Sequence, residues 1–458
     1  MDKIEKYVLV ASFITSFSTL FLLNGSSLAT PSIGREFLMN NVMQNWVVTI
    51  VSIFISATTI PAGQICSKYG CKKIFAVGGI VFLVGLILCC SSISSYMFLA
   101  SSAVMGIGYS LYLVAETAII VLAIDKENRG KSFGMIIVGS YLGCIAAPLL
   151  GGYMINNFGW RTLYYLVMPL VIMCIAITLT KIDTEWITNE NDKMDITGCL
   201  MYVIGIVFFV YGFSNMMSFV GQISIVMGIL VLVLFGIYEY RIKLPVFKIK
   251  LFKNKTFAAY NLAGFFEFFA IAVFDVAFNY YFQYAKGWNP QLTGMILIVS
   301  PILMATISPL SGRLSDRVKP QKIATTGLFL ILIAIVSLIF LDVSTSLYMV
   351  VGAMVFIATG TALFSVPNTN AVMSSVDDEY APYASSTQLT LRSCGQTLSF
   401  GLLTLMCSVV MGNLPLSPEH AGLFVNSVNN IAMICSVLCV IAIIFSIRGL
   451  ISDKPSSN

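Results

Sequence analysis

The sequence predicts an all-α polytopic membrane protein with fourteen transmembrane helices. Hydrophobic residues make up 58% of the 458 residues and charged residues 10%, far below the roughly 25% of a soluble domain. The apolar residues form fourteen runs of about 17–28 residues, each long enough to cross a hydrocarbon core of about 30 Å as a helix. The runs start near Tyr7, Trp46, Ile74, Met97, Phe133, Leu163, Ile196, Phe219, Phe257, Thr293, Ile323, Leu347, Ala384 and Ile431.

Charged side chains are almost confined to the connections between these runs. Four of them lie deep inside predicted spans: Glu116, Glu267, Asp275 and Arg392. A charged residue at the bilayer centre costs about 2.5–3.5 kcal/mol even on the mild insertion scale. We therefore expect the three carboxylates to have a function, such as moving protons or cations across the membrane.

The distribution of lysine and arginine predicts that both termini are cytoplasmic. With this orientation, all but four of the 26 Lys and Arg residues lie in cytoplasmic segments. Arg35, Arg161 and Lys286 lie outside, and Arg392 lies within a span. Cytoplasmic loops of membrane proteins carry such an excess of positive charge. The net charge of +5 therefore reflects topology in a cell membrane and contact with the lipid bilayer, and nucleic acid is not an expected partner.

The sequence contains no pattern that indicates an enzyme, a cofactor site or a metal site. The eleven cysteines lie mostly inside spans, and none has CxxC or Cys/His metal spacing, so we interpret them as small apolar packing residues. The single histidine, His420, lies in a predicted outer loop. Because a phosphate-binding loop and a nucleophile motif are both lacking, we predict neither an ATP-driven transporter nor an enzyme.

The chain is predicted to contain two related halves. Residues 1–180 form a first half of six helices, residues 181–256 a cytoplasmic linker plus an inserted helix pair, and residues 257–458 a second half of six helices. Short basic loops that begin with glycine follow span 2 (Gly63 to Lys73) and span 10 (Gly312 to Lys322). Internal repeats of this kind build many secondary transporters, whose substrate site lies near the midplane between the repeats.

Several short motifs follow one another in an order that resembles a known family. They are Trp46 to Thr49, the two basic loops, Glu127 to Gly134, Gly159 to Arg161, Lys193 to Gly198, Gln283, and Arg392 to Gly395. Over nearly the whole chain, the sequence resembles the major facilitator superfamily, specifically its fourteen-span drug:proton antiporters. The resemblance implies two six-helix bundles plus two inserted central helices, working as a monomer on a small-molecule substrate and protons.

Span 5 resembles the antiporter motif of this family. The corresponding residues are Gly143, Pro148, Gly151 and Gly152, and Ala147 replaces the glycine usual before the proline. In the family this motif hinges span 5 against its partner from the other half and marks exporters. Generic close packing of small residues is the alternative interpretation.

The two basic loops resemble the gating loops of the family. The corresponding residues are Gly63, Gly70, Lys72 and Lys73 in the first loop and Gly312, Asp316 and Arg317 in the second. The first loop has Ser67 where the family has an aspartate that caps a helix and forms an ion pair; serine can cap a helix but cannot form that pair. Because the second loop keeps Asp316, we expect the stronger latch there. The alternative is that the basic residues only set the topology.

Two further departures affect coupling. Span 4 has Ser102 where the antiporter pattern has an arginine, and span 1 has Leu22 where the fourteen-span family usually has an acidic residue. In the family both positions are tied to proton coupling or to cationic substrates. Either other carboxylates have taken over this task or the coupling differs.

The buried carboxylates are the available replacements. By analogy with the fold, spans 1, 4, 9 and 12 line the central cavity; Glu116 lies on span 4, and Glu267 and Asp275 lie on span 9. On a helix the latter two are about 80° apart and differ in height by about 12 Å. A carboxyl group in an apolar cavity binds a proton more readily than one in water, so proton release and cation binding can compete there. For Arg392, a structural ion pair or helix contact and a ligand role both stay open.

The sequence therefore predicts a proton-coupled exporter that works by alternating access on amphipathic organic molecules, with cations favoured. The alternatives are an exporter of one specific metabolite or an uptake symporter of the same fold. A more remote alternative is a sensor that does not transport, a class that usually adds a long soluble domain.

Overall fold

A computed structural model describes residues 3–124, 126–187, 195–242, 247, 249–315, 318–376 and 381–452 of the chain. These residues form sixteen α-helices joined by short turns. The helices are α1 (Lys3–Glu36), α2 (Asn41–Tyr69), α3 (Cys71–Cys90), α4 (Ser95–Ala123), α5 (Lys126–Ala146), α6 (Gly152–Phe158), α7 (Arg161–Lys181), α8 (Ile196–Ser214), α9 (Phe219–Arg241), α10 (Lys255–Tyr280), α11 (Pro290–Leu297), α12 (Val299–Ser315), α13 (Pro320–Leu338), α14 (Leu347–Ser374), α15 (Ala381–Met411) and α16 (Ala421–Ser452).

Fourteen helical segments of the described residues are long and apolar enough to span a membrane. Two of them combine two helices: α5 and α6 form the segment Met135–Phe158, and α11 and α12 form the segment Pro290–Ser315. The predicted all-α class and the predicted number of spans are therefore confirmed.

The predicted starts coincide with the observed ones at Ile196, Phe219 and Leu347, but the last helix begins well before the predicted Ile431, at Ala421. Polar residues interrupt its apolar run, and in the structure their side chains find partners that let the helix continue. Ser427 donates to the carbonyl oxygen of Leu423 at 3.0 Å, and Asn429 donates to that of Leu341 at 3.1 Å. The boundary was missed because hydropathy does not register such compensation.

The chain divides into two compact units. The N-terminal unit contains Met1–Val207 together with Trp288–Ile298, and the C-terminal unit contains Phe208–Gly287 and Val299–Asn458. The division falls within α8. The organisation into residues 1–180, 181–256 and 257–458 stays a prediction.

In the N-terminal unit, α4 packs against both α2 and α3, and α1 packs against α5 and α7. Glycine makes the closest crossing possible, because a Cβ atom on Gly85 of α3 would lie 2.6 Å from the Cα atom of Met105 of α4. Elsewhere in this unit, the aromatic rings of Phe98 on α4 and Trp160 meet edge to face, with centroids 5.4 Å apart.

Arg161 joins three parts of the N-terminal unit. Its guanidinium forms an ion pair with Glu36 at the end of α1, with an N–O distance of 2.7 Å. It also donates to the carbonyl oxygens of Cys90 and Ser92 at 3.0 and 3.1 Å and lies 4.2 Å from the centre of the Trp160 ring. The tryptophan and arginine noted in the sequence at 160 and 161 thus hold the ends of α1, α3 and α7 together.

In the C-terminal unit, α10 packs against α15 and α16, and α13 packs against α14 and α16. The inserted helices α8 and α9 meet where a Cβ atom on Gly228 would overlap the backbone nitrogen of Phe209. Helix α10 is largely buried and carries two of the predicted functional acids, Glu267 and Asp275.

Candidate functional site

Glu116 lies on α4 with only 1% of its surface exposed. Its Oε1 atom accepts a hydrogen bond of 2.8 Å from the hydroxyl of Ser16 on α1. This stretch of α1 is rich in buried hydroxyl groups, which include those of Ser12, Thr15, Ser18 and Thr19. The predicted functional acid of the N-terminal unit therefore has a polar neighbour that can donate to it whether or not the acid carries a proton.

Glu267 lies on α10 and is fully buried, at 0% exposure. Among the described residues, neither of its carboxyl oxygens has a hydrogen-bond partner. Burial removes the hydration of an ionised carboxylate, and the charge of Arg392 on α15 acts on Glu267 in the opposite sense. The position therefore suits an uncharged carboxyl group in the conformation described.

Asp275 differs from Glu267 although both lie on α10. It is the one exposed residue between positions 257 and 284, a stretch that is otherwise buried or half-buried. Acidic side chains exposed within membrane spans face a water-filled cavity rather than lipid. The structure thus separates the two acids of span 9: one is enclosed by protein and the other is accessible.

Arg392 of α15 reaches the same helix. Its guanidinium lies 4.4 Å from the centre of the Phe268 ring on α10, and its Nη2 atom donates to the hydroxyl of Ser365 on α14 at 2.9 Å. Helices α15 and α10 cross closely at Gly395, because a Cβ atom there would lie 2.5 Å from the carbonyl oxygen of Phe265. This close crossing brings Arg392 within contact distance of α10. Arg392 is partly exposed and connects three helices.

Further polar side chains lie on α14 and α15 within about one helical turn of Ser365 or Arg392. Asn368 of α14 donates to the carbonyl oxygen of Tyr260 at 3.3 Å, and Gln388 of α15 donates to the hydroxyl of Thr369 at 3.1 Å. Sequence reasoning did not single out Ser365 or Gln388. The spacing of Ser365, Asn368 and Thr369 could have indicated this polar group, because residues three and four apart share one face of a helix.

The antiporter-like motif of span 5 forms a local break in the helix. Residues Ala147–Gly151 form a single π-helical turn between α5 and α6. Pro148 lacks a backbone N–H and cannot continue the α-helical pattern, which is a common cause of such a break. One turn earlier, Gly143 lies so close to α1 that a Cβ atom would overlap the carbonyl oxygen of Phe17.

The segment Trp288–Ile298, which contains α11, packs against this break within the N-terminal unit. A Cβ atom on Gly294 would overlap the carbonyl oxygen of Pro148, and one on Gly152 would lie 2.8 Å from that of Pro290. The small residues therefore permit contact between backbones, which no larger residue would allow without a shift.

The predicted first basic loop is mostly helical: the residues from Gly63 to Tyr69 belong to α2 and those from Cys71 to Lys73 to α3, so Gly70 alone lies between the helices. Gly70 has a φ of 101°, a conformation that favours glycine, and it separates α2 from α3. Gly63 has open space around its Cα atom. The Ser67 hydroxyl donates to the carbonyl oxygen of Gly63 at 3.0 Å, so this serine bonds within its own helix and does not cap another.

Glu185 supplies the side chain that caps the beginning of α3. The Glu185 carboxylate accepts hydrogen bonds from the backbone N–H of Lys72 at 2.8 Å and from that of Lys73 at 3.2 Å. The carbonyl oxygen of Trp186 accepts from the N–H of Cys71 at 3.0 Å. The segment that follows α7 therefore caps the helix that begins in the basic loop.

Gly312, the first residue of the predicted second basic loop, lies near the end of α12. Gly312 lies where a Cβ atom would be 3.4 Å from a methyl group of Val366, which is ordinary contact. Asp316 and Arg317 lie outside the described residues. Among the described residues, no group of three or more His, Cys, Asp or Glu side chains could hold a metal ion.

Comparison with known proteins identifies the class. Residues 10–400 match the family model of the Major Facilitator Superfamily, and the chain belongs to this family. It is a multi-pass membrane protein and a transporter of the fourteen-span type, not an enzyme.

The chain is similar to the riboflavin transporter RibZ of Clostridioides difficile, with 23% identity over 430 residues and 93% of each sequence covered. It is also 23% identical over 412 residues to the multidrug resistance protein Stp of Mycobacterium tuberculosis, covering 88% of this chain and 76% of that protein. The fold resembles that of the peptide transporter POT in complex with sulfate, with a TM-score of 0.70, 14% identity, and 96% and 97% of the two chains covered.

Proposed function

We propose that this transporter is a proton-coupled exporter that moves amphipathic organic molecules by alternating access. The observation that carries the proposal is the environment of Glu267, a fully buried carboxyl group whose oxygens have no hydrogen-bond partner among the described residues. Such a group is stable when it carries a proton and needs water or a cation when it does not. A conformational change that alternates its access to water would therefore couple proton movement to transport.

Asp275 supplies the second element of the proposal. Its carboxylate is exposed on the same helix, and it would meet a substrate while Glu267 holds the proton. The two positions are about 12 Å apart along the helix, so one group can bind a proton while the other contacts a ligand. Glu116, with Ser16 beside it, is a further candidate for proton binding in the N-terminal unit.

The direction of transport is proposed from the antiporter-like motif. Its π-helical turn contacts the backbone of α11 at Gly294, and this contact would form and break as span 5 moves against span 10. The name of one relative, a multidrug resistance protein, also supports export of organic compounds.

The experiment that tests the proposal uses purified protein in proteoliposomes with ethidium as substrate. An imposed pH gradient should drive ethidium transport by the wild type, and Glu267→Gln should abolish it. Exchange of ethidium at equal pH on both sides should survive in Glu267→Gln, because the neutral amide resembles the protonated acid.

Glu419→Gln is the matched control and should behave as wild type, because it removes an exposed carboxylate from the short 3-10 helix before α16. Proton-driven transport by Glu267→Gln at the wild-type rate would refute the coupling role.

A second candidate function is transport of one specific metabolite, by export or by uptake with protons. Two residues favour it: Ser102 bonds to the carbonyl oxygen of Phe98 within its own helix at 2.8 Å, and Leu22 is buried at 1% exposure. Neither offers the charge that the multidrug antiporters have there. The name of the relative RibZ supplies riboflavin as the first compound to test. Riboflavin transport together with indifference to ethidium would establish this alternative.

A further inference from the structure

Helix α9 presents an exposed apolar stripe that leads towards its C-terminal end. The stripe consists of Met227, Leu230, Leu234 and Ile237, which recur every three or four residues along one side of the helix. From the first to the last of them the helix rises about 15 Å, which is half the thickness of a hydrocarbon core of about 30 Å. The stripe therefore has about the length of the acyl chains of one bilayer leaflet.

Basic side chains lie at the end of this stripe. Arg241, the last residue of α9, follows Leu234 by seven residues and so lies about 20° from it around the helix. The Nζ atoms of Lys250 and Lys253 lie 5.7 and 5.6 Å from the centre of the Tyr240 ring, so two ammonium groups contact one aromatic ring. We call Tyr240, Arg241, Lys250 and Lys253 the basic cluster.

The segment that carries the two lysines is attached to α9 and to α10. Residues Ile249–Lys253 form a short 3-10 helix. Just before it, the backbone N–H of Phe247 donates to the buried carboxylate of Glu239 on α9 at 3.0 Å. On the other side, the rings of Phe252 and Phe257 of α10 meet edge to face, with centroids 5.5 Å apart. The two lysines are therefore held in place by contacts of their own segment.

The positive charge of the basic cluster lacks an ion-pair partner in the part of the chain that the structure describes. Arg241, Lys250 and Lys253 are all exposed, and no ion pair joins any of them to a described acidic residue. Like charges that are held close together repel one another, and an anion beside them reduces this repulsion. The basic cluster therefore suits an anionic ligand.

We propose that α9 and the basic cluster bind one anionic phospholipid. Its phosphate would contact the basic side chains, because guanidinium and ammonium groups donate strongly to phosphate oxygens. One acyl chain would lie along the apolar stripe, and Tyr240 would lie at the level of the headgroups, where tyrosine is common in membrane proteins. Free phosphate could use the basic cluster but not the stripe. The inference goes beyond the proposed function, does not depend on it, and gives the inserted helix pair a role of its own.

The test is native mass spectrometry of the purified full-length protein in detergent. Equal amounts of phosphatidylglycerol and phosphatidylethanolamine with the same acyl chains, one of them deuterated, compete for the first bound position. Phosphatidylglycerol should be favoured about ten-fold, as expected for several basic groups beside an anionic headgroup. Combined Lys250→Gln and Lys253→Gln should remove most of this preference. Combined Lys319→Gln and Lys322→Gln is the matched control and should keep it, because it also removes two exposed lysines from the beginning of a helix.

Four outcomes would overturn the proposal. The first is equal binding of the two lipids by the wild type, and the second is an unchanged preference after loss of Lys250 and Lys253. The third is an equal loss of preference in the two double variants, because it would show a general attraction between charge and lipid. The fourth is displacement of phosphatidylglycerol by the same concentration of glycerophosphoglycerol, its headgroup without acyl chains, because the stripe would then not contribute. Since the preference of the wild type is itself decisive, the proposal is tested even where a variant does not fold.

Discussion

The Glu185 carboxylate accepts a hydrogen bond from the backbone N–H of Lys72, with the two atoms 2.8 Å apart. Lys72 lies in the first turn of α3, where N–H groups have no partner within the helix and the helix dipole favours negative charge. The chain has Ser67 where related antiporters have a capping aspartate. Here the carboxylate that caps a helix beside this loop comes from the segment after α7.

We predict that Glu185→Ala destabilises the N-terminal unit. Hydrogen bonds to a charged acceptor contribute about 1.5–3 kcal/mol, so the melting temperature in detergent should fall measurably. Asp183→Ala is the control, because Asp183 is an exposed acid in the same segment. An equal melting temperature for Glu185→Ala and Asp183→Ala would contradict the proposed capping role.

We predict that Gly294→Ala impairs transport. The added Cβ atom would overlap the carbonyl oxygen of Pro148, so the contact between α11 and the π-helical turn could not form as it does here. The initial transport rate in proteoliposomes should fall at least ten-fold. Gly352→Ala on α14 is the control, since the space around Gly352 is open and alanine stabilises a helix interior by about 0.5–1 kcal/mol. Unchanged transport by Gly294→Ala would show that this contact is not needed.

We predict that Arg161→Lys lowers stability despite keeping the charge. Lysine cannot pair with Glu36 while also donating to the carbonyl oxygens of Cys90 and Ser92, because only the planar guanidinium points in all these directions. Thermal unfolding should show a loss of about 1–3 kcal/mol, the cost of leaving such groups without partners. Arg35→Lys, next to Glu36 on α1, should have little effect, and an equal effect of both variants would argue against the role of Arg161.

We predict that Ser16 and Glu116 are energetically coupled. Ser16→Ala removes the donor of this hydrogen bond, and Glu116→Leu removes its acceptor. Glu116→Gln would not serve, because it keeps an oxygen that can accept from the Ser16 hydroxyl. A double-mutant cycle of Ser16→Ala and Glu116→Leu, followed by thermal unfolding, should give a coupling energy of about 0.5–3 kcal/mol. Strictly additive effects would show that the hydrogen bond does not contribute to stability.

The helices could be predicted because each apolar run indicates burial in a membrane whatever its neighbours are. The exceptions are instructive. The start of α16 at Ala421 was missed because its polar residues are compensated by partners, such as Leu341 for Asn429, that the sequence does not reveal. The π-helical turn at Ala147–Gly151 was likewise not predicted, although Pro148 signalled a break.

The candidate acids could be predicted because buried charge is costly and therefore rare. Their different environments could not. Glu267 and Asp275 are eight residues apart on one helix, yet one is fully buried and the other exposed, because the packing of α14, α15 and α16 around α10 decides which side is covered. The position of Arg392 against Phe268 depends on the close crossing at Gly395.

Local composition accounts for the class of protein, the fourteen spans and the small set of charged residues within them. The physical reason is that a helix in a membrane satisfies its backbone hydrogen bonds within itself, so its presence depends on local composition. The tertiary structure alone decided the partners: Ser16 meets Glu116 across 100 residues of chain, and Lys72 meets Glu185 across 113. Such pairs arise from the packing of helices against one another, which local composition does not encode.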